Sequence, residues 1–133
     1  MTDDAFDKEK LINYWNESSD EDYKTMTDLF RTNNWHWALF MGHLVIEKLL
    51  KAVYVKQKEE FPPLIHDLRR IGEKAGMVFD TDQTIEIETI SQFNIRARYD
   101  DYKNQFYKLC TKEYTEIWID KIQKIRLWIK TML

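Results

Sequence analysis

Apolar residues along most of the chain recur at intervals of three and four positions, which is the spacing of one face of an α-helix. No segment keeps up the strict apolar and polar alternation that a half-buried strand shows. The chain also contains only three glycines and two prolines, the residues that most often interrupt helices. The pattern therefore predicts an all-α protein.

Helix-start signals divide the first part of this pattern. Ser18 and Glu21 have the spacing of a capping box, which predicts a helix from about Ser18 to Arg31. Residues 5–16 are expected to form a separate turn or helix before it. One face of the capped helix should bury three apolar side chains: Tyr23, Met26 and Phe30.

The longest predicted helix follows, with Asn33 as its cap, and runs from Asn34 to about Lys58. It should end before Phe61-Pro62-Pro63, because proline cannot continue a helix. Apolar residues cover most of its circumference, as in a helix that other helices surround. We expect it to be the central helix.

Four polar residues interrupt this apolar helix at spacings of seven, four and four, so they form one narrow stripe: His36, His43, Glu47 and Lys51. One interpretation is a solvated seam with ordinary i,i+4 pairs. The other is that the stripe faces a polar interior groove, where Glu47 pairs with an arginine from residues 95–102. A buried carboxylate needs such a partner.

A shorter helix is expected after the double proline. His66-Asp67 precedes it as a capping or orienting pair, and Gly76 should stop it just after Ala75. The same dipeptide also occurs in metal-dependent phosphohydrolases, but that chemistry requires further His and Asp ligands, which the rest of the chain does not supply. His43 and Glu47 are likewise too few to hold a metal ion. The sequence predicts no metal site.

Asp80 and Gln83 form a second capping box, which predicts a helix to about Asn94 that buries Ile87 and Ile90. The C-terminal residues then follow helical spacing and predict a strongly amphipathic last helix, whose apolar face is core or dimer interface. That face consists of Tyr114, Ile117, Trp118, Ile122, Ile125, Trp128, Ile129 and Met132.

Residues 95–102, with the sequence IRARYDDY, are unusually dense in side chains that suit a binding site. Arg96 and Arg98 supply planar, permanently charged donors for phosphate, while Tyr99 and Tyr102 supply rings for stacking. A structural alternative is open for these residues. The arginines would then lock the fold through nearby carboxylates, and the tyrosines would pack with their hydroxyls in water; the candidate carboxylates are Glu47, Asp100 and Asp101.

Composition narrows the class of protein. The length of 133 residues, with 44% hydrophobic residues, fits one folded domain spanning residues 1–133. A formal charge of −3 gives no global attraction for nucleic acid, so any contact would depend on a local patch. Cys110 is the sole cysteine, and the acidic N-terminus lacks the features of a signal peptide, which favours a cytoplasmic protein. Charged residues interrupt the most apolar helix, and no Gly-rich phosphate loop is present, so we expect neither a membrane span nor a cofactor.

Three motifs, in this order, resemble the HEPN domain family, named for nucleotide binding in higher eukaryotes and prokaryotes. They are Glu47-Lys48-Leu49-Leu50-Lys51-Ala52, His66-Asp67-Leu68 after a double proline, and Ala97-Arg98-Tyr99 before the last helix. The resemblance extends from about Trp15 to the end of the chain. It implies an up-and-down bundle of four to five helices, usually dimeric, often paired with a minimal nucleotidyltransferase as toxin and antitoxin.

Active members of that superfamily carry an arginine followed four to six residues later by a histidine, which together form a metal-independent ribonuclease site. In this chain Tyr102 stands six positions after Arg96 and four after Arg98. A tyrosine side chain ordinarily titrates near about pH 10 and is a poorer base than histidine at neutral pH. The resemblance therefore implies phosphate binding more strongly than it implies catalysis.

Three functional hypotheses follow. The first is a HEPN module that binds nucleotide or RNA and works with a nucleotidyltransferase, with Arg96, Arg98, Tyr99, Glu47 and His43 as ligand-binding residues. The second is a metal-independent ribonuclease toxin with Arg96, Arg98 and Tyr102 as catalytic residues. The third is a non-catalytic structural homodimer.

Overall fold

The computed structural model describes residues 5–133 and, within them, every side chain except that of Asp100. This part of the chain forms six α-helices: α1 (Lys8–Arg31), α2 (Trp35–Lys58), α3 (Leu68–Lys74), α4 (Thr81–Arg96), α5 (Asp100–Leu109) and α6 (Lys112–Lys130). The predicted all-α class is confirmed. Only residues 32–34 connect α1 to α2, so these two helices form an antiparallel pair.

Helix α2 is the central element, as its apolar circumference predicted. It packs against α1, α3, α4, α5 and α6, and its contact with α1 is the most extensive between any two described helices. Buried side chains occupy most of the circumference of α2 from Ala38 to Val55. Between Trp37 and Lys48 one narrow face of α2 is partly exposed, and most of its polar stripe lies on the buried side.

The prediction of two separate elements in residues 5–31 is wrong. One continuous helix of 24 residues begins at Lys8, and the Asp7 side chain caps it by accepting the Lys10 N–H at 3.1 Å. Ser18 lies inside this helix, where its hydroxyl accepts a hydrogen bond from Lys48 Nζ at 2.7 Å. The Ser18 hydroxyl thus links α1 to α2 and is not a cap.

The other helix ends lie closer to the positions that the sequence predicted. Asn34, one residue later than expected, is the N-cap of α2, because Asn33 adopts a left-handed conformation with φ of 64°. Asp80 and Gln83 form the predicted capping box at the start of α4. Gly76, with φ of +88°, follows the end of α3 and supplies the left-handed turn that stops a helix.

Helix α5 was not predicted. Residues 95–102 were expected to connect two helices, yet α5 begins at Asp100 and reaches Leu109. Its buried residue is Phe106, whose ring lies 5.5 Å from that of Phe93 on α4, measured between centroids. One aromatic side chain thus ties this short helix to the core, and the rest of its surface is largely exposed.

The last helix buries its predicted apolar face. Ile122, Ile125 and Ile129 are in the core, and Trp118 and Trp128 pack partly buried against it. Ile117 is the exception, since it is 54% exposed. Within residues 5–133 no helix is both long enough and apolar enough to cross a membrane.

The crossing of α2 and α6 depends on Gly42. A Cβ atom at this position would lie 2.4 Å from Ile122 Cδ1 and 3.3 Å from the sulfur of Met26. We expect Gly42→Ala to lower the free energy of unfolding by about 1–3 kcal/mol through overpacking, even though alanine favours helix more than glycine. Chemical denaturation measures the change.

Ile122→Val provides the matched control, because it removes the Cδ1 atom that the new methyl group meets. Alone it should cost about 0.5–1.5 kcal/mol. Combined with Gly42→Ala, the total loss should be smaller than the sum of the two single losses. Strict additivity would show that the close approach at Gly42 is not the cause.

Candidate functional site

The polar stripe of α2 lies inside the protein. The side chain of His43 is fully buried, and those of Glu47 and Lys51 are 6% and 7% exposed. His36, the second residue of α2, is also buried. The interpretation as a solvated seam is therefore wrong, because the helices packed on α2 shield the side chains of His43, Glu47 and Lys51 from bulk water.

Glu47 is the centre of this buried group. Its carboxylate oxygens lie 3.3 Å from His43 Nε2, 3.1 Å from Lys51 Nζ and 3.1 Å from His66 Nδ1. The expected arginine partner is wrong: no arginine in residues 5–133 comes within salt-bridge distance of this carboxylate. Lysine and histidine side chains already occupy the positions around it.

Lys51 balances the charge of Glu47. Its ammonium group also lies 5.3 Å from the centre of the Trp15 ring on α1, close enough for a cation–π contact. A buried carboxylate without a cation would cost several kcal/mol, roughly 3–5 kcal/mol when one partner of a buried pair is removed. The pair Lys51 and Glu47 therefore makes a polar interior tolerable in an otherwise apolar helix.

His43 is neutral at neutral pH. Burial lowers the pKa of its imidazole, and the nearby Arg98 guanidinium lowers it further, while Glu47 and the hydrogen bond to the His66 carbonyl oppose the shift. Its Nε2 faces two acceptors, the Glu47 carboxylate and the carbonyl oxygen of His66 at 3.4 Å, so we assign the proton to Nε2. Its Nδ1 is buried and has no hydrogen-bond partner among the described residues.

His66 connects this buried group to the surface. Its side chain is 66% exposed, yet its Nδ1 lies 3.1 and 3.2 Å from the two oxygens of Glu47. The neighbouring Asp67 caps α3, as predicted, by accepting the Arg70 N–H at 3.2 Å. The contact of His66 with Glu47 was missed, because a separation of 19 residues leaves no local signal in one sequence.

Among the residues that the structure describes, no group of three or more His, Cys, Asp or Glu side chains is arranged to hold a metal ion. The short contacts of Glu47 are hydrogen bonds and ion pairs within the protein. Cys110 is a buried free cysteine, and burial raises the pKa of its thiol to about 12. A thiol in that state is not a nucleophile at neutral pH.

Arg96 and Arg98 contact different rings. The Arg96 guanidinium carbon lies 5.1 Å from the centre of the buried Phe106 ring. The Arg98 guanidinium carbon lies 5.8 Å from the Phe40 ring and 5.5 Å from the Tyr99 ring, and its Nε donates to the Asn94 carbonyl at 3.0 Å. Arg96 thus packs towards the core through α5, whereas Arg98 is an exposed cation held between two rings.

Neither arginine is locked by a described carboxylate. Glu47 and Asp101 were candidate partners, and neither lies within salt-bridge distance of Arg96 or Arg98. The expectation about Asp100 concerns a side chain outside the described part of the structure. The two guanidinium groups contact aromatic rings and a backbone carbonyl instead of the carboxylates that the structural alternative required.

Tyr99 and Tyr102 are half-exposed at the start of α5, with 55% and 48% of their surface accessible. Tyr99 is the N-cap residue of that helix, and its carbonyl accepts the backbone N–H of Tyr102 at 3.0 Å. The Tyr99 ring is open to solvent beside the Arg98 guanidinium. Both tyrosines can therefore reach a ligand at the surface.

Aromatic contacts continue from Arg98 along the first turns of α2. The Phe40 and Trp37 rings are 5.7 Å apart, and Lys103 Nζ lies 5.5 Å from the Trp37 ring. The His36 ring lies between Trp37 and Tyr107, at 4.9 and 5.2 Å. We call this set the cation–aromatic strip: Tyr99, Arg98, Phe40, Trp37, His36, Lys103 and Tyr107.

Part of the strip lines a surface groove of about 470 Å³, formed by His36, Trp37, Lys103, Asn104 and Tyr107. Trp37, Phe40, Lys103 and Tyr107 were missed as candidate site residues. Trp37 and Phe40 belong to the apolar run of α2, and Lys103 and Tyr107 lie on the unpredicted helix α5. The available signal was the helical spacing of Lys103 and Tyr107, which places them on one face of α5.

Comparison with known families gives one match. The family model for the HEPN domain matches residues 12–132, which include all of α2 to α6 and most of α1. No curated protein and no solved structure shows a significant match to the chain.

The buried position of Glu47 makes a specific prediction about stability. We expect Glu47→Ala to lower the free energy of unfolding by about 3–5 kcal/mol, because Lys51 would be left as a buried charge without its partner. Lys8→Ala is the control, since it breaks an exposed pair with Glu59 and should cost about 0–1 kcal/mol. Urea denaturation compares the two, and equal losses would contradict the proposed charge balance.

Proposed function

Because the chain belongs to the HEPN domain family, which supports a nucleotide- or RNA-related function in general, we propose that it binds RNA or a nucleotide on the cation–aromatic strip. The exposed guanidinium of Arg98, held between the Phe40 and Tyr99 rings, is the observation that carries the proposal. A cation in that position can bind a phosphate while the rings beside it accept a base.

The charges of the strip favour an anionic ligand. Arg98 and Lys103 are exposed, and neither has a salt bridge to any carboxylate whose side chain is described. By contrast, other exposed arginines, such as Arg31 and Arg69, pair with nearby acids. The strip therefore offers local positive charge on a protein whose formal charge is −3.

The rings of the strip suit single-stranded RNA. Bases stack on aromatic side chains with about 1–3 kcal/mol each, and this stacking needs no particular sequence. Trp37 and Tyr107 flank a groove that also contains Lys103, so a base and its phosphate find suitable partners side by side. The ligand-binding set expected from the sequence is accordingly extended by Trp37, Lys103 and Tyr107.

His43, Glu47 and Arg96 have indirect roles in this proposal. His43 and Glu47 are buried beneath the surface that the ligand would reach, and Arg96 contacts the buried Phe106 ring. Catalysis by Arg96, Arg98 and Tyr102 together remains a hypothesis. Arg96 and Arg98 contact no common ring in the described structure, so their cooperation would require the ligand to bring them together.

We also propose that the protein acts as a homodimer with a minimal nucleotidyltransferase partner, as a toxin–antitoxin-like pair. HEPN domains commonly dimerise, and family membership is the support for both partners. Half-exposed apolar side chains on α4 to α6, among them Ile85, Ile95 and Ile117, provide surface that a partner can cover.

The binding proposal predicts a salt-sensitive loss for Arg98→Ala. Binding of labelled single-stranded RNA should weaken about tenfold, which corresponds to about 1.4 kcal/mol. The slope of log K against log salt should also fall by about 0.7 for each phosphate contact removed. Fluorescence anisotropy across a salt series measures both quantities.

Lys124→Ala is the matched control for this prediction, because it removes one positive charge from an exposed position on α6, outside the strip. It should leave the affinity within about twofold of the wild-type value, a difference below roughly 0.5 kcal/mol. Equal losses in the two variants would mean that net charge, and not the strip, determines binding.

The partner proposal has a separate test. Sedimentation of the pure chain should give twice the monomer mass of 16.3 kDa. Co-expression with the protein encoded by the adjacent gene, if that protein is a nucleotidyltransferase, should give a complex that remains intact through two purification steps. A monomeric chain, or separation of the two proteins, would contradict this part of the proposal.

A further inference from the structure

We propose that the buried His43 makes the loop before α3 an acid-sensitive latch, which is closed on α2 at neutral pH and opens in mild acid. The loop consists of residues 59–67, between the end of α2 and the start of α3, and we call it the latch loop. The inference goes beyond the proposed binding function, because it concerns the protein without any ligand.

Two side chains of α2 hold the second half of the latch loop. The carboxylate oxygens of Glu47 lie 3.1 and 3.2 Å from Nδ1 of the His66 ring. The Nε2–H of His43 donates to the backbone carbonyl of His66 at 3.4 Å. The side chains of His43 and Glu47 are 0% and 6% exposed, so the loop closes over a polar group in the protein interior.

Other contacts hold the latch loop only weakly. None of residues 59–67 is buried, and Ile65 packs partly buried against the core. Near the start of the loop, the exposed rings of Phe61 and Phe6 lie 5.4 Å apart. Leu68, the first residue of α3, is fully buried and anchors that helix. A segment with few buried contacts opens more readily than the core around it, so the loop is the element that can move.

The closed structure disfavours a second proton on the His43 ring. Since Nε2 carries the proton of the neutral ring, the second proton would go to Nδ1. Nδ1 is buried and has no hydrogen-bond partner among the described residues. Protonation would therefore place a charged donor without an acceptor in the interior, which is strongly unfavourable.

Charged and titratable groups face His43 from three parts of the chain. Helix α2 contributes Glu47 and Lys51, the latch loop contributes His66, and Arg98 follows α4. Glu47 favours a charged imidazole, but Lys51 already neutralises this carboxylate from 3.1 Å. Burial and the Arg98 guanidinium disfavour the charge, and the pKa of His43 is lowered as a result.

Opening of the latch loop removes this restriction on His43. Water then reaches the imidazole, and its pKa returns towards the ordinary histidine value of about 6.5. Well above that pH the ring is neutral in both states, and the loop stays closed. Below it the open state binds a proton that the closed state does not bind, so acid favours the open state. The ratio of open to closed molecules should rise by up to about tenfold for each pH unit, until the lowered pKa is reached.

His66 has the opposite effect on the latch loop. Its side chain is 66% exposed, so water solvates the charged ring whether the loop is closed or open. In the closed state a protonated His66 also gains a partly screened attraction to Glu47. Acid therefore opens the loop through His43 alone, and this difference between the two histidines can be tested.

Release of the latch loop changes a surface groove. The groove has a volume of about 580 Å³ and lies between α3 and α4, and its lining includes His66 and Asp67 from the loop. An open loop removes this part of the wall, while the buried residues of α2, α3 and α4 remain packed. The latch thus makes the shape of one groove depend on pH.

The test uses solution NMR of the full chain, with labelled isoleucine methyl groups, between about pH 7.5 and pH 5. Relaxation dispersion of the Ile65 methyl signal measures the ratio of open to closed molecules. This ratio should rise by about tenfold or more between pH 6.5 and pH 5. The methyl signal of Ile129, in the core part of α6, is the internal control and should show no such change.

His43→Gln and His66→Gln form a matched pair of variants. Glutamine at position 43 keeps an N–H donor but does not titrate, so the ratio should stay within about twofold over the same pH range. His66→Gln leaves the buried histidine in place and should keep the full rise in acid. Loss of the rise in His66→Gln, together with its persistence in His43→Gln, would overturn the assignment to His43.

The imidazole nitrogen signals of the wild-type protein test the latch without any substitution. The His43 ring should stay neutral for as long as the loop is closed. A His43 ring that becomes protonated while the Ile65 methyl signal still reports a closed loop would contradict the proposal, even if His43→Gln does not fold. A wild-type ratio that is constant between pH 7.5 and pH 5 would contradict it as well. RNA takes no part in these measurements, so their outcome is independent of the binding tests.

Discussion

The carboxylate of Glu47 is the constraint on which much of this structure depends. It lies in the interior of a helical protein, where an unpaired charge is strongly unfavourable, and therefore requires a cation and hydrogen-bond donors. Lys51 supplies the cation from one turn further along α2, and His43 and His66 supply imidazole nitrogens. Because His66 comes from the loop before α3, the same requirement that neutralises Glu47 attaches that loop to the central helix.

Helix α2 supports the surface that the proposed function uses. Its first turns carry Trp37 and Phe40, whose rings lie beside Lys103 and Arg98. Its middle carries His43 and Glu47, which contact the backbone carbonyl and the ring of His66 in the loop before α3. A rigid helix packed on most sides keeps these groups at constant separations, which is what a site built from several segments needs. The acidic overall charge of the protein does not oppose this arrangement, since the cations involved are local.

Local signals in the sequence predicted the elements that depend on local interactions. The capping box of Asp80 and Gln83 and the stop at Gly76 are completed within a few residues, and both are confirmed. The start of α1 was wrong for the opposite reason. Ser18 and Glu21 have capping-box spacing, but the Ser18 hydroxyl bonds to Lys48, 30 residues away, and the helix continues through it. Helix α5 was missed because Phe106, its buried residue, has too few apolar neighbours along the chain to show a periodic pattern.

The sequence by itself determined the all-α class, the central position of α2, the amphipathic last helix and the resemblance to the HEPN family, since periodicity and short motifs are properties of neighbouring residues. Only the tertiary structure decided which polar groups meet. The stripe of α2 had two open interpretations, and burial by the helices packed on α2 selected the interior one. The i,i+4 contacts of Glu47 with His43 and Lys51 follow from helical spacing, but Glu47 also contacts His66 in place of an arginine, and Arg96 and Arg98 contact different rings from other helices. These pairings depend on how segments far apart in the chain pack together, which no local spacing records.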